Sequence, residues 1–396
     1  MSAAAPDPTP TSEPAAPARP LWEVIALFTQ LGFTAFGGPA AHVAMFEREC
    51  VERRGWLDRR RFLDMLAITN LLPGPNSTEM AIHLGYARAG WPGLIAAGVC
   101  FILPAALMCT ALAVLYEAYA VLPAVAGMFR GVQPVMWVVI ADAVRRLGRD
   151  AVPDRLRAAI AAAAAAAGLA QVGEPAVLAV AGVVGWLFYA PRSSAPPAAM
   201  LAWIPAPILS AAPAAAAAAD RLLPLTLHFL KTGAILFGSG YLLVNYLRSD
   251  LVIREGWLTE RELLDGIAVG QFTPGPVLTA AAFLGYRLAG PAGAACATTA
   301  IFLPAFVAVA AIAGRFETLR SLGWLSAVLS GVNAAVTGLM AAVLVQLAPT
   351  LFAPEGRPDA YAVAAAVVGG IVLWRRINPT WLVPPAAAAG WWVYGG

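Results

Sequence analysis

Charge is what this chain has least of. Only 12% of its 396 residues are Asp, Glu, Lys or Arg, against about 25% in an ordinary soluble domain. So few charges cannot clothe a water-facing surface of this size. Lysine is nearly missing: every basic residue is an arginine except Lys231, which lies inside an apolar segment. The cysteines, Cys50, Cys100, Cys109 and Cys296, form no CxxC pair, which argues against a disulfide framework or a thiolate metal site. No GxxxxGK[ST] loop is present and the loops hold no histidine cluster, which argues against a P-loop ATPase and a metal enzyme. No cofactor or metal is therefore expected. A net charge of +3 gives no basic footprint, and no nucleic-acid partner is expected.

What is abundant is apolar. Hydrophobic residues make up 60% of the chain, with a mean hydropathy of +0.71. Many runs reach the roughly 20 residues a helix needs to cross a bilayer. None alternates as a membrane β-strand would. The expected class is an all-α polytopic membrane protein whose surroundings are the lipid bilayer. Residues 1–20 are rich in Pro and Ala and read as a disordered tail, without the basic start and apolar core of a signal peptide.

The chain is written twice. "FGG" at Phe36–Gly38 returns as "FGS" at Phe237–Ser239, "RGWL" at Arg54–Leu57 as "EGWL" at Glu255–Leu258, and Pro73-Gly74-Pro75 as Pro274-Gly275-Pro276, all 201 residues later. After one deletion the offset is 200: Gly85-Tyr86 matches Gly285-Tyr286, Leu103-Pro104 matches Leu303-Pro304, and Gly131-Val132 matches Gly331-Val332. A register held over six landmarks is an internal duplication. The halves are 21–190 and 222–396, joined by a Pro/Ala-rich linker at 191–221. Duplicated halves are characteristic of secondary transporters, whose sites lie at the repeat interface near the bilayer midplane.

Each half offers five long apolar segments, the first ones at about 21–45 and 222–247, plus a kinked segment at the Pro-Gly-Pro motif. If the kinked segment crosses once, the two basic loops of the first half (Arg48 to Arg61, and Arg145 to Arg157) fall on opposite faces. If it dips in and returns, they share one face, as cytoplasmic arginines do. The second choice also places Arg315, Arg320, Arg375 and Arg376 on that face and leaves the acidic loop of Asp250, Glu255, Glu260 and Glu262 outside. It gives five crossings per half and hence an inverted repeat.

The kink carries the chemistry. Non-helical backbone at membrane depth survives only inside protein or beside a watery cavity. Pro73 and Pro75 remove two amide donors and Gly74 permits an unusual turn. A helix restarting at Asn76 aims its free N–H groups and positive dipole end at the break, a ready anion site. Asn76, Ser77 and Thr78 add side-chain donors; Val277 and Leu278 replace two of them in the second copy and leave Thr279. A packing kink with capping hydroxyls would use the same residues.

The candidate substrate-facing set is completed by Gly37, Gly38, Gly238, Ser239, Asn70, Gln271, Thr273, Gly275, Arg130, Gln133, Asn333 and Lys231, with Pro73, Pro75, Pro274 and Pro276 as the structural breaks. Arg130 and Lys231 are ionisable groups within spans, functional candidates by default. Arg130 lies mid-segment beside Gln133, and a guanidinium suits an oxyanion. Glu79 and His83 lie one turn apart on one helix face and could relay protons or cap Arg88. Asp64 and Asp265 occupy matching positions before the kinks and read as interfacial caps.

Together, the duplicated FGG, RGWL, PGP and LP landmarks resemble the chromate ion transporter family in its long two-domain form. The resemblance covers nearly the whole chain outside the tail and linker. It implies a secondary active transporter that exports chromate across the bacterial inner membrane, with sulfate competing, and it implies an inverted repeat. Chromate and sulfate are both tetrahedral dianions, and the residues alone do not separate them. A sulfate transporter and an anion channel remain open, as does a homodimer.

Overall fold

The structure, a computed structural model, describes residues 20–36, 38–69, 72, 74–119, 122–170, 172, 174–190, 221–236, 243–313, 323–354, 357–375 and 382–395. The tail, most of the linker, and Gly37, Asn70, Pro73, Gly238 and Ser239 lie outside the described residues. All regular elements among the described residues are helices.

The first apolar run of each half is not one helix. α1 (Pro20–Thr34) stops short of Phe36, and α2 (Gly38–Phe46) restarts at Gly38 with φ 78°. α2 runs back along α1. The Phe28 and Phe46 rings meet at 5.7 Å, and His42 Nε2 lies 3.1 Å from the Ala35 carbonyl. A π-helical turn, Glu47–Arg53, continues α2. The span expected at 21–45 is therefore a hairpin, because a backbone at positive φ cannot continue a right-handed helix. The span expected at 222–247 fails in the same way. α8 (Leu222–Ile235) and α9 (Leu243–Leu247), extended by a π-helical turn at Arg248–Arg254, run antiparallel. Lys231 bonds Asp250 at 2.8 Å and the Tyr246 hydroxyl reaches the Ile235 carbonyl at 3.4 Å.

The kinked segments form a second pair of hairpins. α3 (Arg59–Thr69) leads to the first break and α4 (Asn76–Tyr119) leaves it. α10 (Glu260–Phe272) and α11 (Ala280–Ile312) flank the second. Gly270 packs on Ala280, and Gly266 on Phe283 and Leu284, an antiparallel register. In the first half Thr69 Oγ1 lies 3.9 Å from Met80 Sδ, the same register one repeat earlier. With 11 and 13 residues, α3 and α10 are about 16 and 20 Å long, half of a bilayer. The described arms on either side of each break run antiparallel.

α4 and α11 are themselves broken, at Ala89–Gly90 and Ala289–Gly290, with Gly90 at φ 62° and Gly290 at φ 60°. Each has a short arm (76–88, 280–288) folded on a long arm (91–119, 291–312). The remaining helices are α5 (Pro123–Ala151), α6 (Arg155–Leu169), α7 (Glu174–Tyr189), α12 (Gly323–Phe352), α13 (Ala360–Trp374) and α14 (Val383–Tyr394). Among the described residues α4, α5, α11 and α12 contain stretches long and apolar enough to cross a membrane, two per half.

The long arms of α4 and α11 pack antiparallel. Leu94, near the start of the long arm of α4, clusters with Val309 and Ile312 near the end of α11. At the other end, Arg287 beside the α11 turn approaches Glu117 of α4 at 3.9 Å. α5 and α12 repeat the pattern: Trp137 Nε1 donates to the Leu344 carbonyl at 2.8 Å, and Gly148 sits beside Thr337. The halves also trade partners. α5 packs against α13 and α14, while α12 packs against α6 and α7.

These directions fix which loops share an end of the bundle. Arg88 bonds Glu23 at 2.9 Å and stacks over Trp56, so both first-half hairpins open where the long arm of α4 begins. α5 returns the chain to that end, where α6 and α7 also have ends. Asp154 caps α6 by accepting from the Arg157 amide at 3.0 Å, and the Tyr189 hydroxyl at the end of α7 donates to it at 2.6 Å. That hydroxyl bond holds the Asp154 carboxyl below its ordinary range. The second-half hairpins open at the opposite end, where Arg287 bonds Glu262 at 2.9 Å and Arg221 stacks over Trp257.

Candidate functional site

The two breaks dock on each other's halves. At the tip of the α3–α4 hairpin the Gly74 amide donates to the Leu236 carbonyl, the last residue described at the tip of α8, at 2.6 Å. At the tip of the α10–α11 hairpin the Gly275 amide donates to the Ala35 carbonyl at the tip of α1, at 2.8 Å. Donors and acceptors are each 201 positions apart. The described ends of the hairpins thus dock in two reciprocal pairs. Gly74 and Gly275 hold φ 146° and 93°, conformations that glycine adopts readily and other residues seldom do.

The first break is the polar one. The Pro75 carbonyl accepts from the Thr78 and Glu79 amides at 2.8 and 3.1 Å, which starts the short arm of α4. The amides ahead of them have no helical partner, as at any helix start, and the dipole end there is positive. Gly74, Pro75, Ser77, Thr78, Glu79 and His83 are buried. Thr78 Oγ1 and both Glu79 carboxyl oxygens find no hydrogen-bond partner among the described residues. Gly74 lies directly against the Glu79 carboxyl.

The second break is closed. Thr273, Pro274, Gly275, Pro276 and Thr279 are buried. Thr279 Oγ1 donates to the Pro276 carbonyl at 2.7 Å and Thr273 Oγ1 to the Val269 carbonyl at 3.1 Å. The Cys109 thiol of α4 lies between these hydroxyls, 3.2 Å from Thr273 Oγ1 and 3.5 Å from Thr279 Oγ1. The threonines expected to face an anion are therefore engaged with backbone and thiol. Gln271 Nε2, just before the break, is buried without a partner among the described residues.

Further candidates are held elsewhere. Arg130 is not deep: its side chain is 45% exposed, 3.7 Å from Asp359 and stacked 4.3 Å from the Tyr394 ring. It braces α5 against α13 and α14. The Gln133 amide donates to Asp265 Oδ1 at 2.9 Å, while the Tyr116 hydroxyl donates to Oδ2 at 2.8 Å. Asp265 is 1% exposed, a buried tie between α4, α5 and α10 rather than an interfacial cap. Lys231 is paired with Asp250, with His228 3.6 Å from the same carboxylate. Asn333 sits half-buried on α12, where its carbonyl accepts from Thr337. Arg88, the other role open to Glu79 and His83, is committed to Glu23.

Sequence reasoning missed Cys109 and Thr232. Thr232 is fully buried one turn before Leu236, with Oγ1 unpartnered among the described residues. Its place beside the FGS motif was a usable signal. Cys109 had none, because its partners are more than 160 positions away.

Duplicated helical halves, helices long and apolar enough to cross a membrane, and broken hairpins docked reciprocally between the halves define the class: a multi-pass membrane protein of the transporter kind. The chromate transporter family model matches twice, over residues 22–186 and 223–391. A chromate transport protein of Pseudomonas aeruginosa is 33% identical, over 97% of this chain and 95% of its own length. One from Cupriavidus metallidurans is 31% identical, over 95% and 94%. A probable chromate transport protein of Synechococcus elongatus is 28% identical over 91% and 97%. No solved structure matches. The chain belongs to the chromate transporter family, a family of transporters rather than enzymes.

Proposed function

We propose that this chain exports chromate across a bacterial inner membrane as a secondary active transporter. The oxyanion binds at the first break, near the membrane midplane, and access alternates as the paired hairpins rock. The observation that carries this reading is the reciprocal docking of Gly74 on Leu236 and Gly275 on Ala35, which joins the halves through their breaks. Amides at the start of the short arm of α4, with Asn76, Ser77 and Thr78, supply neutral donors to a tetrahedral dianion. Gly38, Gln271 and Thr232 flank the breaks. Of the two proton-coupling candidates, Glu79 carries the proton and His83 lies one turn along the short arm. Gly37, Asn70, Gly238 and Ser239 stay in the set on the sequence argument.

Arg130, Gln133, Lys231, Thr273 and Thr279 leave the substrate set for structural roles. Ser77→Ala with Thr78→Val is expected to lower chromate efflux about tenfold, the worth of one or two charge-assisted hydrogen bonds. Arg130→Gln is expected to keep more than about half of it, because its half-exposed guanidinium is paired with Asp359 and stacked on Tyr394 rather than placed at the break. Efflux from cells at equal protein level, with sulfate as competitor, checks both. Loss of efflux in Arg130→Gln with normal efflux in the double variant would move the site away from the first break. Flux that follows the gradient and ignores a protonophore would make the protein a channel.

The antiparallel long arms of α4 and α11 support an inverted repeat. The basic loops at 48–61 and 145–157 then share the cytoplasmic face, as the positive-inside rule prefers. On this reading Ala190 and Arg221 lie at opposite faces. Reporter fusions after these two positions are expected to read cytoplasm and periplasm respectively. The same reading at both would refute the inversion.

A further inference from the structure

Among the described residues Glu79 is the buried carboxyl without a hydrogen-bond partner. It is 0% exposed, and neither oxygen has a hydrogen-bond partner among the described residues. Its Oε1 stands where a side chain on Gly74 would be, so the carboxyl is tucked beneath the turn of the first break. That is the end of the short arm where the first amides lack helical partners. Its own turn carries Ser77 and Thr78, with His83 one turn along; Gly74 lies against the carboxyl, Ala305 of α11 and the Leu236 carbonyl of α8 lie against Gly74, and Thr69 of α3 reaches Met80 next along. Among the described residues no lysine or arginine lies within ion-pair distance of Glu79. The charged groups of the neighbouring hairpins are paired among themselves: Arg88 with Glu23, Lys231 with Asp250.

We propose that Glu79 is a proton-binding residue of the anion site itself, and that the proton and the oxyanion occupy that site together. This rests on the reading of the first break as the anion site. A dianion beside a bare buried carboxylate meets like charge in a medium that screens it poorly. Once Glu79 Oε takes a proton from solvent, the repulsion is gone and the carboxyl offers an O–H donor to an oxyanion oxygen. Without the proton, the carboxylate itself occupies the positive end of the short arm and competes with the anion. Binding is therefore coupled with one sign: proton and anion arrive in the same half of the cycle rather than in exchange. The pair carries one negative charge across instead of two.

Sulfate is the probe, because it stays a dianion from about pH 5.5 to 8.5, while carboxyls ordinarily titrate near about 4 and burial lifts them by up to several units, so any slope belongs to the protein. Titration calorimetry on the purified full chain should show sulfate affinity falling as pH rises, approaching tenfold per unit, the slope for one linked proton. In weak buffer, sulfate addition should draw about one proton per site from solution. Glu79→Gln should bind sulfate with a flat pH profile and no proton uptake, and His83→Gln should keep the slope. A flat or rising wild-type profile would overturn the proposal before any variant is made. So would a slope retained in Glu79→Gln or lost in His83→Gln. If neither sulfate nor chromate binds the wild type at any pH, the first break is not the anion site and the underlying reading fails as well.

Discussion

Gly74→Ala is expected to reduce chromate efflux to the background of cells without the protein, with the polypeptide still in the membrane. Two independent effects combine at this position. The backbone holds φ 146°, a region essentially reserved for glycine, where a substituted residue is strained by roughly 1–3 kcal/mol. The added methyl would also land on the Glu79 carboxyl, a group that cannot move away without giving up the place it holds in the first break. The Gly74 amide bond to Leu236 is the contact through which the first break grips the other half, so a turn that shifts to accept the methyl lets go of that grip. Gly275→Ala meets the same two effects, φ 93° and a Cβ 2.8 Å from that of Ala105, with the Gly32 carbonyl at 3.2 Å. Gly55→Ala is the control. Gly55 also has positive φ, 59°, but nothing lies within 4 Å of its would-be Cβ. It is expected to cost about 1 kcal/mol and to leave efflux near normal. Efflux rates at matched membrane levels check the series, and full activity in Gly74→Ala would remove the break from the mechanism.

Gly331→Val is expected to produce the largest loss of stability, about 3 kcal/mol or more, seen as aggregation during purification or early thermal unfolding on size exclusion. Gly331 of α12 lies on the backbone of α7: a Cβ there would enter the Ala181 carbonyl and stand 3.0 Å from Gly185 Cα. In lipid there is little hydrophobic drive to bring helices together, so close backbone packing between small residues carries much of the association. Pushing α12 off α7 breaks one of the contacts by which the halves exchange their outer helices. Gly369 of α13 is the contrast. Its nearest neighbour is Val138 at 3.9 Å, ordinary contact, and Gly369→Ala is expected to unfold like the wild type. Equal melting of Gly331→Val and the wild type would show that the α7–α12 contact does not hold the fold.

Much of this protein is legible in the order of its residues. Scarce charge and long apolar runs define the class, because apolar residues in a bilayer leave helices or closed barrels as the only choices. The 201-residue register reveals the duplication, and the contrast between Asn76-Ser77 and Val277-Leu278 marks the first break as the more polar. Those features are local or periodic, and a linear string records them in full.

Two kinds of statement were out of reach. The first is where a chain that leaves a break goes next. "FGG" inside an apolar run is compatible with a bent span or a hairpin, and only Phe28 meeting Phe46 and Lys231 meeting Asp250 show the return. The second is which polar group has a partner. Arg130, Gln133 and Lys231 look alike in sequence, as uncompensated polarity in apolar surroundings. Their partners, Asp359, Asp265 and Asp250, come from other helices and in two cases from the other half. Glu79 looks no different from them until every neighbour is in place. The physical reason is that burial and pairing are sums over all surrounding atoms, whereas composition and period are properties of the chain alone. The sequence determined that this protein is a duplicated, broken-helix membrane transporter; only the tertiary structure decided which of its buried charges are spoken for.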